Sequence, residues 1–363
     1  MKKQMTMILP QSISGNEKIQ PCQFSAQLRM SSVKPLNPTA ASYYDLTELG
    51  TLGGDISVAK DINDSAQIVG YSINNIGQKQ AFVWDPNEGM QNIGTIGNNS
   101  SCAYSINDYG QVVGYSEYDC GQRKAFIWDE VKGIHHLQTK SSNLSEAYGI
   151  NNSGQVVGFS VINNGQRKAF IWDEIKGIRN LGISDDIESS AYAINYSDQV
   201  VGYSISSDLI VKAFIWNSDK DIEELPGFLG SDINTSGQVI GFYSLPQYNN
   251  RAFLWNGSEE YEDLGTISNN VNLQFFDSKA NSINDSGVIV GSSDKLINTE
   301  QEECVQRAFI WDSVNQMQDL NDLIDPSSGW VLKEAQSINN HGQIVGWGIK
   351  DQSCCAFLLT PIS

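Results

Sequence analysis

Few residue types in this chain of 363 could do chemistry. Its three histidines are His135, His136 and His341. Adjacent strand residues point to opposite faces, so His135 and His136 cannot readily hold one metal ion. His341 falls in a hairpin turn. A serine-nucleophile triad needs a histidine beside Ser and Asp, and no Gly-x-Ser-x-Gly elbow is present. The six cysteines are Cys22, Cys102, Cys120, Cys304, Cys354 and Cys355, with no Cys-x-x-Cys pair. Zinc would need a tighter cluster, and thiols without a framework favour a reducing compartment. Cys120 could still pair with Cys304 or another loop cysteine. Acid–base carboxylate pairs are open, because 42 acids allow many and spacing does not reveal which approach. The loop acids Asp277, Glu302, Glu303 and Asp325 are the candidates. No metal and no cofactor is expected.

The aromatic residues are more ordered than the acids. Trp84, Trp128, Trp172, Trp216, Trp255 and Trp311 each follow Ala-Phe-x. Recurrence at a fixed place marks core packing, with a carbohydrate-stacking platform as the rarer use. Tyr104, Tyr148 and Tyr192 also share one place, where Lys60, Ser231, Asn281 and Gln336 stand elsewhere. If the strand bearing them lines a central channel, one side is aromatic and the other polar. That arrangement could hold a ligand; a simply packed ring is the alternative. Tyr248, Phe275, Phe276 and Trp330 lie in long connections and read as exposed anchors for a partner.

These residues are positioned by a repeat. Ala-x-x-Ile-Asn-x-x-Gly-Gln-Val-Val-Gly-Tyr-Ser, then Lys-Ala-Phe-Ile-Trp-Asp, recurs seven times. Its asparagines are Asn63, Asn107, Asn151, Asn195, Asn234, Asn284 and Asn339, spaced by 44, 44, 44, 39, 50 and 55. A period of this size fits four-stranded propeller blades. In unit two the strands read 101–107, 111–116, 124–129 and 133–138, each rich in β-branched and aromatic residues. Asn-x-x-Gly joins the first two as a hairpin, with Gly at the left-handed position. Ala66 and Asp198 replace that Gly, which predicts some strain or another turn type there. The Asp after Trp opens the next turn. These turns offer one Asp or none, too few for calcium.

The last unit stops after three strands. The missing fourth is at the other end: 46–54 matches the fourth strand and exit at 90–98. The expected fold is therefore an all-β, seven-bladed propeller over 43–363, its N-terminal strand completing the last blade. An open solenoid is the alternative. Residues 1–42 lack the repeat, are Ser/Pro/Gln-rich and carry a net +4, leaving −23 for the rest of a chain at −19. They read as a disordered tail, with a weak export signal or an arm for an acidic partner as alternatives. Such an acidic body argues against nucleic acid, and no apolar run reaches the roughly 20 residues of a membrane helix.

The Ala-Phe-x-Trp strand, the INxxGQVVGYS hairpin and Leu-Gly-Thr-Leu-Gly-Gly (49–54) resemble the HAF-repeat family of bacterial proteins. The resemblance covers about 43–361, and 319–348 with 356–361 is similar to the family's usual last repeat. It implies a propeller-like repeat domain, often on exported or surface proteins, and no particular chemistry. The chain shows no clear export signal and ends without a sorting tail, so a cytoplasmic location is expected, with a secreted or surface one as the alternative.

Short, uniform turns gather on one face and long, variable connections on the other. Function usually sits on variable loops over a rigid scaffold. The expected function is non-enzymatic binding of a protein or glycan through the variable face of units five to seven. A lyase or hydrolase at the channel mouth is the second expectation.

Overall fold

The computed structural model describes residues 43–363 except 119–120, 138–143, 184–185, 219, 226, 245–248, 259, 269–275, 299–302 and 363. The expectation for 1–42 lies outside them, as do Tyr248, Phe275, Glu302 and Cys120. Among the described residues all regular structure is β except one short 3-10 turn, Leu320–Asp322. There are five four-stranded antiparallel sheets and one of eight strands. The eight-stranded one is two four-stranded groups joined through the single parallel pair Ile56–Cys354. Each sequence repeat thus supplies one four-stranded group. The group of the last repeat takes its fourth strand from Tyr44–Glu48, antiparallel to Ser353–Pro361 with Leu46 opposite Leu359.

Alternation of side chains sets the packing between groups. Phe82, Phe126, Phe170, Phe214, Phe253, Phe309 and Phe357 are fully buried, and Trp84, Trp255 and Trp311 are buried beside them. Phe126 packs with Val112 of its own group against Val69 and Ala81 of the preceding one. Phe82 and Trp84 pack the same way against Val345, Ala356 and Leu358 of the last repeat. The tryptophans are core. Each buried Phe contributes on the order of 2–3 kcal/mol.

Hydrogen bonds between groups follow the repeat as well. Ala81 N donates to Ser101 Oγ at 2.9 Å, Ala125 N to Ser145 Oγ at 3.1 Å, and Ala356 N to Ser57 Oγ at 3.0 Å. In the hairpins, Asn63 Oδ1 accepts from Ser65 N and Gln67 N at 3.1 and 2.9 Å. Its Nδ2 donates to Gln67 Oε1 and to the backbone carbonyl of Asn107, in the next group. Asn107 reaches Asn151, Asn151 reaches Asn195, and so on to Asn284, which reaches Asn339. Asn339 Nδ2 then donates to Asn63 O at 3.0 Å. Asn63 thus uses both donors and both acceptor sites while buried. The exceptions among the turns behave as their chemistry requires. Ala66 and Asp198 are held at φ 60°, the left-handed conformation of the glycine they replace. The Asp after Trp does open a turn: Asp129 Oδ1 accepts from Val131 N and Lys132 N.

Candidate functional site

Every first strand carries a register irregularity at one place. It falls between Ala59 and Asp61, Ala103 and Ser105, Ala147 and Gly149, and Ala191 and Ala193. It recurs between Gly230 and Asp232, Ala280 and Ser282, and Ala335 and Ser337. A bulge adds one residue without a ladder partner and re-aims its side chain. The extra residues are Lys60, Tyr104, Tyr148, Tyr192, Ser231, Asn281 and Gln336. The second strand makes room: a Cβ on Gly70 would lie 2.1 Å from Val58 O, and one on Gly241 only 1.8 Å from Leu229 O. All seven bulge residues line a single cavity of about 250 Å³, walled by the first strand of every repeat.

One wall of that cavity is aromatic. Tyr104 and Tyr148 stand 5.1 Å apart between ring centroids, and Tyr148 and Tyr192 stack at 5.0 Å with 21° between planes. Buried Glu146 holds two of the three, accepting from the Tyr104 and Tyr148 hydroxyls at 3.3 and 3.2 Å through one oxygen. Its other oxygen takes Arg123 Nη1 at 3.0 Å, and the Arg123 guanidinium lies over the Tyr115 ring. Arg167 repeats this over Phe159 and pairs with Glu188, which accepts from the Tyr203 hydroxyl. Burial first, and then the Glu146 charge, push the Tyr104 and Tyr148 hydroxyls well above the usual phenol range. Burial does the same to Tyr192, followed by Tyr203. All three stay neutral, and because the rings pack on one another they present edges and neutral hydroxyls.

The opposite wall is polar. Lys60 Nζ donates to Gln336 Oε1 at 3.2 Å. Asn281 Nδ2 donates to Glu334 Oε1 and Ala335 O, and Ser231 Oγ to Ala280 O. Beside them are two carboxylates that the sequence reading missed. Asp61 accepts from Ser105 Oγ and Ile106 N in the next group, Ser337 Oγ in the last, and Ile62 N. Asp232 accepts from Ile233 N and, across groups, Ile283 N. Burial raises both, against those hydrogen bonds; Asp232 is pushed up to about 7, with the Asp61 charge adding to it. Both act as clasps between neighbouring groups. Their signal was present one residue after the tyrosine position: Asp61, Ser105, Gly149, Ala193, Asp232, Ser282 and Ser337.

A second cavity of about 260 Å³ lies among the Asn turns, and Asp61 and Asp232 line it too. Its outer ring is tied by Asp64 N to Asp108 Oδ1, Asp285 N to Asn340 Oδ1 and Asn340 N to Asp64 Oδ1. Tyr196, exposed, occupies that position in unit four.

The structure brings Tyr104, Tyr148 and Tyr192 together; of the other expected anchors, Phe276 and Trp330 fall among the described residues. Phe276 and Trp330, expected in exposed loops, are buried. Trp330 begins a strand, meets Phe357 edge-on at 6.3 Å and lies beneath Lys350 Nζ. Glu302 lies outside the described residues, and the other three loop acids sit in separate surroundings. Asp277 accepts from Asn250 N, Asp325 closes its own turn onto Ser327, and Glu303 is exposed. The His136 ring meets the Tyr118 hydroxyl, and His135 Nδ1 lies 2.9 Å from Gly133 O. Buried Cys102 and Cys355 form no disulfide. Among the described residues no helix is long and apolar enough to cross a membrane.

The family model described as "Protein of unknown function (DUF3466)" matches residues 205–349, fewer than half of the chain. No curated protein matches it. Among solved structures it is similar to the β-propeller domain of the trilobed protease from Pyrococcus furiosus. There the TM-score is 0.53 at 9% identity, covering 88% of this chain and 95% of that one. A puromycin hydrolase gives a TM-score of 0.50 at 10% identity, over 82% of this chain and 50% of that one. TolB from Acinetobacter baumannii gives 0.44 at 12% identity, over 56% of this chain; the match spans about half, 52%, of TolB. At such identity the first two show the fold, a β-propeller, and nothing of function.

Proposed function

We propose that the protein is a closed, seven-bladed propeller that works as a non-enzymatic binding module. On this reading it takes a small polar ligand, or the protruding end of a glycan or protein, into its central channel. Closure is supported by the return of the asparagine relay from Asn339 to Asn63 and by the pairing of Tyr44–Glu48 with Ser353–Pro361. The observation that carries the binding reading is the division of one cavity into a tyrosine wall and a polar wall, both built on bulge residues without a ladder duty. That moves the expected site from the loops of units five to seven to the channel. The repeat motif supports membership of the HAF-repeat family, and the buried thiols Cys102 and Cys355 fit a cytoplasmic home.

The enzyme reading draws on one observation, the two carboxylates raised by burial in the same cavity. Their oxygens are already occupied by donors from the protein, which suits clasps better than general acids. Thermal-shift measurement against a mixed panel of polyols, nucleosides, amino acids and aromatic acids tests the binding reading. At least one compound should raise the Tm, and Tyr148→Ala and Tyr192→Ala should each abolish that rise. A panel without effect, or a rise that both variants keep, would defeat it.

A further inference from the structure

We infer that the channel ligand is a neutral sugar residue, set against the ring edges of Tyr148 and Tyr192 and held through its hydroxyls by Lys60, Asn281, Gln336 and Ser231. This rests on the channel being the binding site. The first argument is the hydrogen-bonding inventory of the polar wall. Lys60 spends one N–H on Gln336 Oε1 and keeps two. That bond leaves the Gln336 amide nitrogen as a donor without an acceptor among the described residues. Asn281 is the converse: its nitrogen is committed to Glu334 and Ala335, so its oxygen remains an acceptor. Ser231 donates to Ala280 O and keeps its lone pairs. The Tyr192 hydroxyl has no hydrogen-bond partner among the described residues and both donates and accepts. Donors and acceptors therefore alternate around one small space. A sugar hydroxyl is the common group that answers both at once.

Charge narrows the class further. Asp61 and Asp232 share the cavity and oppose a carboxylate or phosphate, while Lys60 opposes an amine. The cavity, about 250 Å³, suits a ligand smaller than a drug-sized one. The aromatic wall supplies what the polar wall cannot, a row of apolar ring edges for the C–H side of a pyranose ring. Glu146 keeps two of the hydroxyls turned onto itself, and the rings stack on one another, so their edges line that wall.

The test is saturation-transfer NMR with calorimetric titration, using methyl glycosides of glucose, galactose and mannose. Glucuronic acid, glucosamine and adenosine serve as controls. At least one neutral glycoside should bind, with both charged sugars weaker by about tenfold or more. Tyr192→Ala and Tyr148→Ala should each weaken it by about tenfold, and Gln336→Ala by about fivefold. Tyr148→Phe, which keeps the ring, should stay within about twofold. The polar-wall variant keeps the proposal testable should an alanine at a tyrosine impair folding. Binding unchanged in Tyr192→Ala and Gln336→Ala would overturn the proposal. If only adenosine binds, in a Tyr192-dependent way, the sugar class falls and the channel reading stands. If the glycosides and the wider panel all fail, both fall.

Discussion

The two halves of the channel share one scaffold and differ in its filling. Repeats two to four, at the regular spacing of 44, put Tyr104, Tyr148 and Tyr192 on the bulge, with Ser105, Gly149 and Ala193 beside them. Repeats five to seven and one put Ser231, Asn281, Gln336 and Lys60 there, with Asp232, Ser282, Ser337 and Asp61 beside them. The companions explain the division. A Cβ on Gly149 would lie 2.8 Å from Tyr192 O, so the aromatic side needs small neighbours. The polar side fills the same space with carboxylates that reach across to the next group. Each half solves its own inter-blade contact, one by ring stacking and the other by charged hydrogen bonds.

The largest way to separate the halves is pH. Asp232 has its folded pKa raised from the ordinary carboxylate value to about 7. Its contribution is therefore fully present below pH 4 and is lost as pH rises to 7. Linkage puts the loss at up to roughly 4 kcal/mol. Urea unfolding at a series of pH values should show this fall, and Asp232→Asn should reduce it to the part that Asp61 contributes, while Tyr192→Phe leaves it intact. A profile that stays flat in the unaltered protein breaks the distinction.

The next effect should not discriminate at all. Asn151→Ala, on the aromatic side, and Asn339→Ala, on the polar side, each strand several buried hydrogen-bonding groups. Each should cost about 3 kcal/mol by chemical denaturation. Unequal losses beyond experimental error would mean the two halves do not share the relay.

Tyr148→Ala comes below that, at about 2 kcal/mol, because the ring is only partly buried and its neighbours can relax toward it. The finest contrast lies within the aromatic wall. Tyr148→Phe removes a bond to Glu146 and should cost about 1 kcal/mol, whereas Tyr192→Phe should cost about 0. Equal losses in thermal unfolding would show that Glu146 does not distinguish them.

Much of this was legible in the sequence, for identifiable reasons. Strand alternation placed the tryptophans and phenylalanines in the core. Turn chemistry marked Ala66 and Asp198 as strained turns or turns of another type, and the strained left-handed form is what they adopt; comparison among repeats brought Tyr104, Tyr148 and Tyr192 to one wall opposite Lys60 and Gln336. What failed was inference from loop length. Phe276 and Trp330 sit in long connections, yet length does not say which residues fold back onto a blade, and both do. Asp61 and Asp232 were overlooked because a carboxylate's role as a clasp depends on donors from other repeats. The asparagine relay was hidden similarly: one turn accounts for the Asn oxygen, and only the neighbouring turn reveals the use of its nitrogen.

The strand Ser353–Pro361 lies between Ile344–Lys350 and Tyr44–Glu48. During synthesis, Tyr44–Glu48 leaves the ribosome long before its partner Ser353–Pro361. Tyr44–Glu48 thus waits with an open edge until Ser353–Pro361 has been made, and the native contact that ends the wait has one of the largest sequence separations among the described residues. Closing that pair is then a late step, slow by its high contact order, and until it happens the edge is open to pairing with a neighbour.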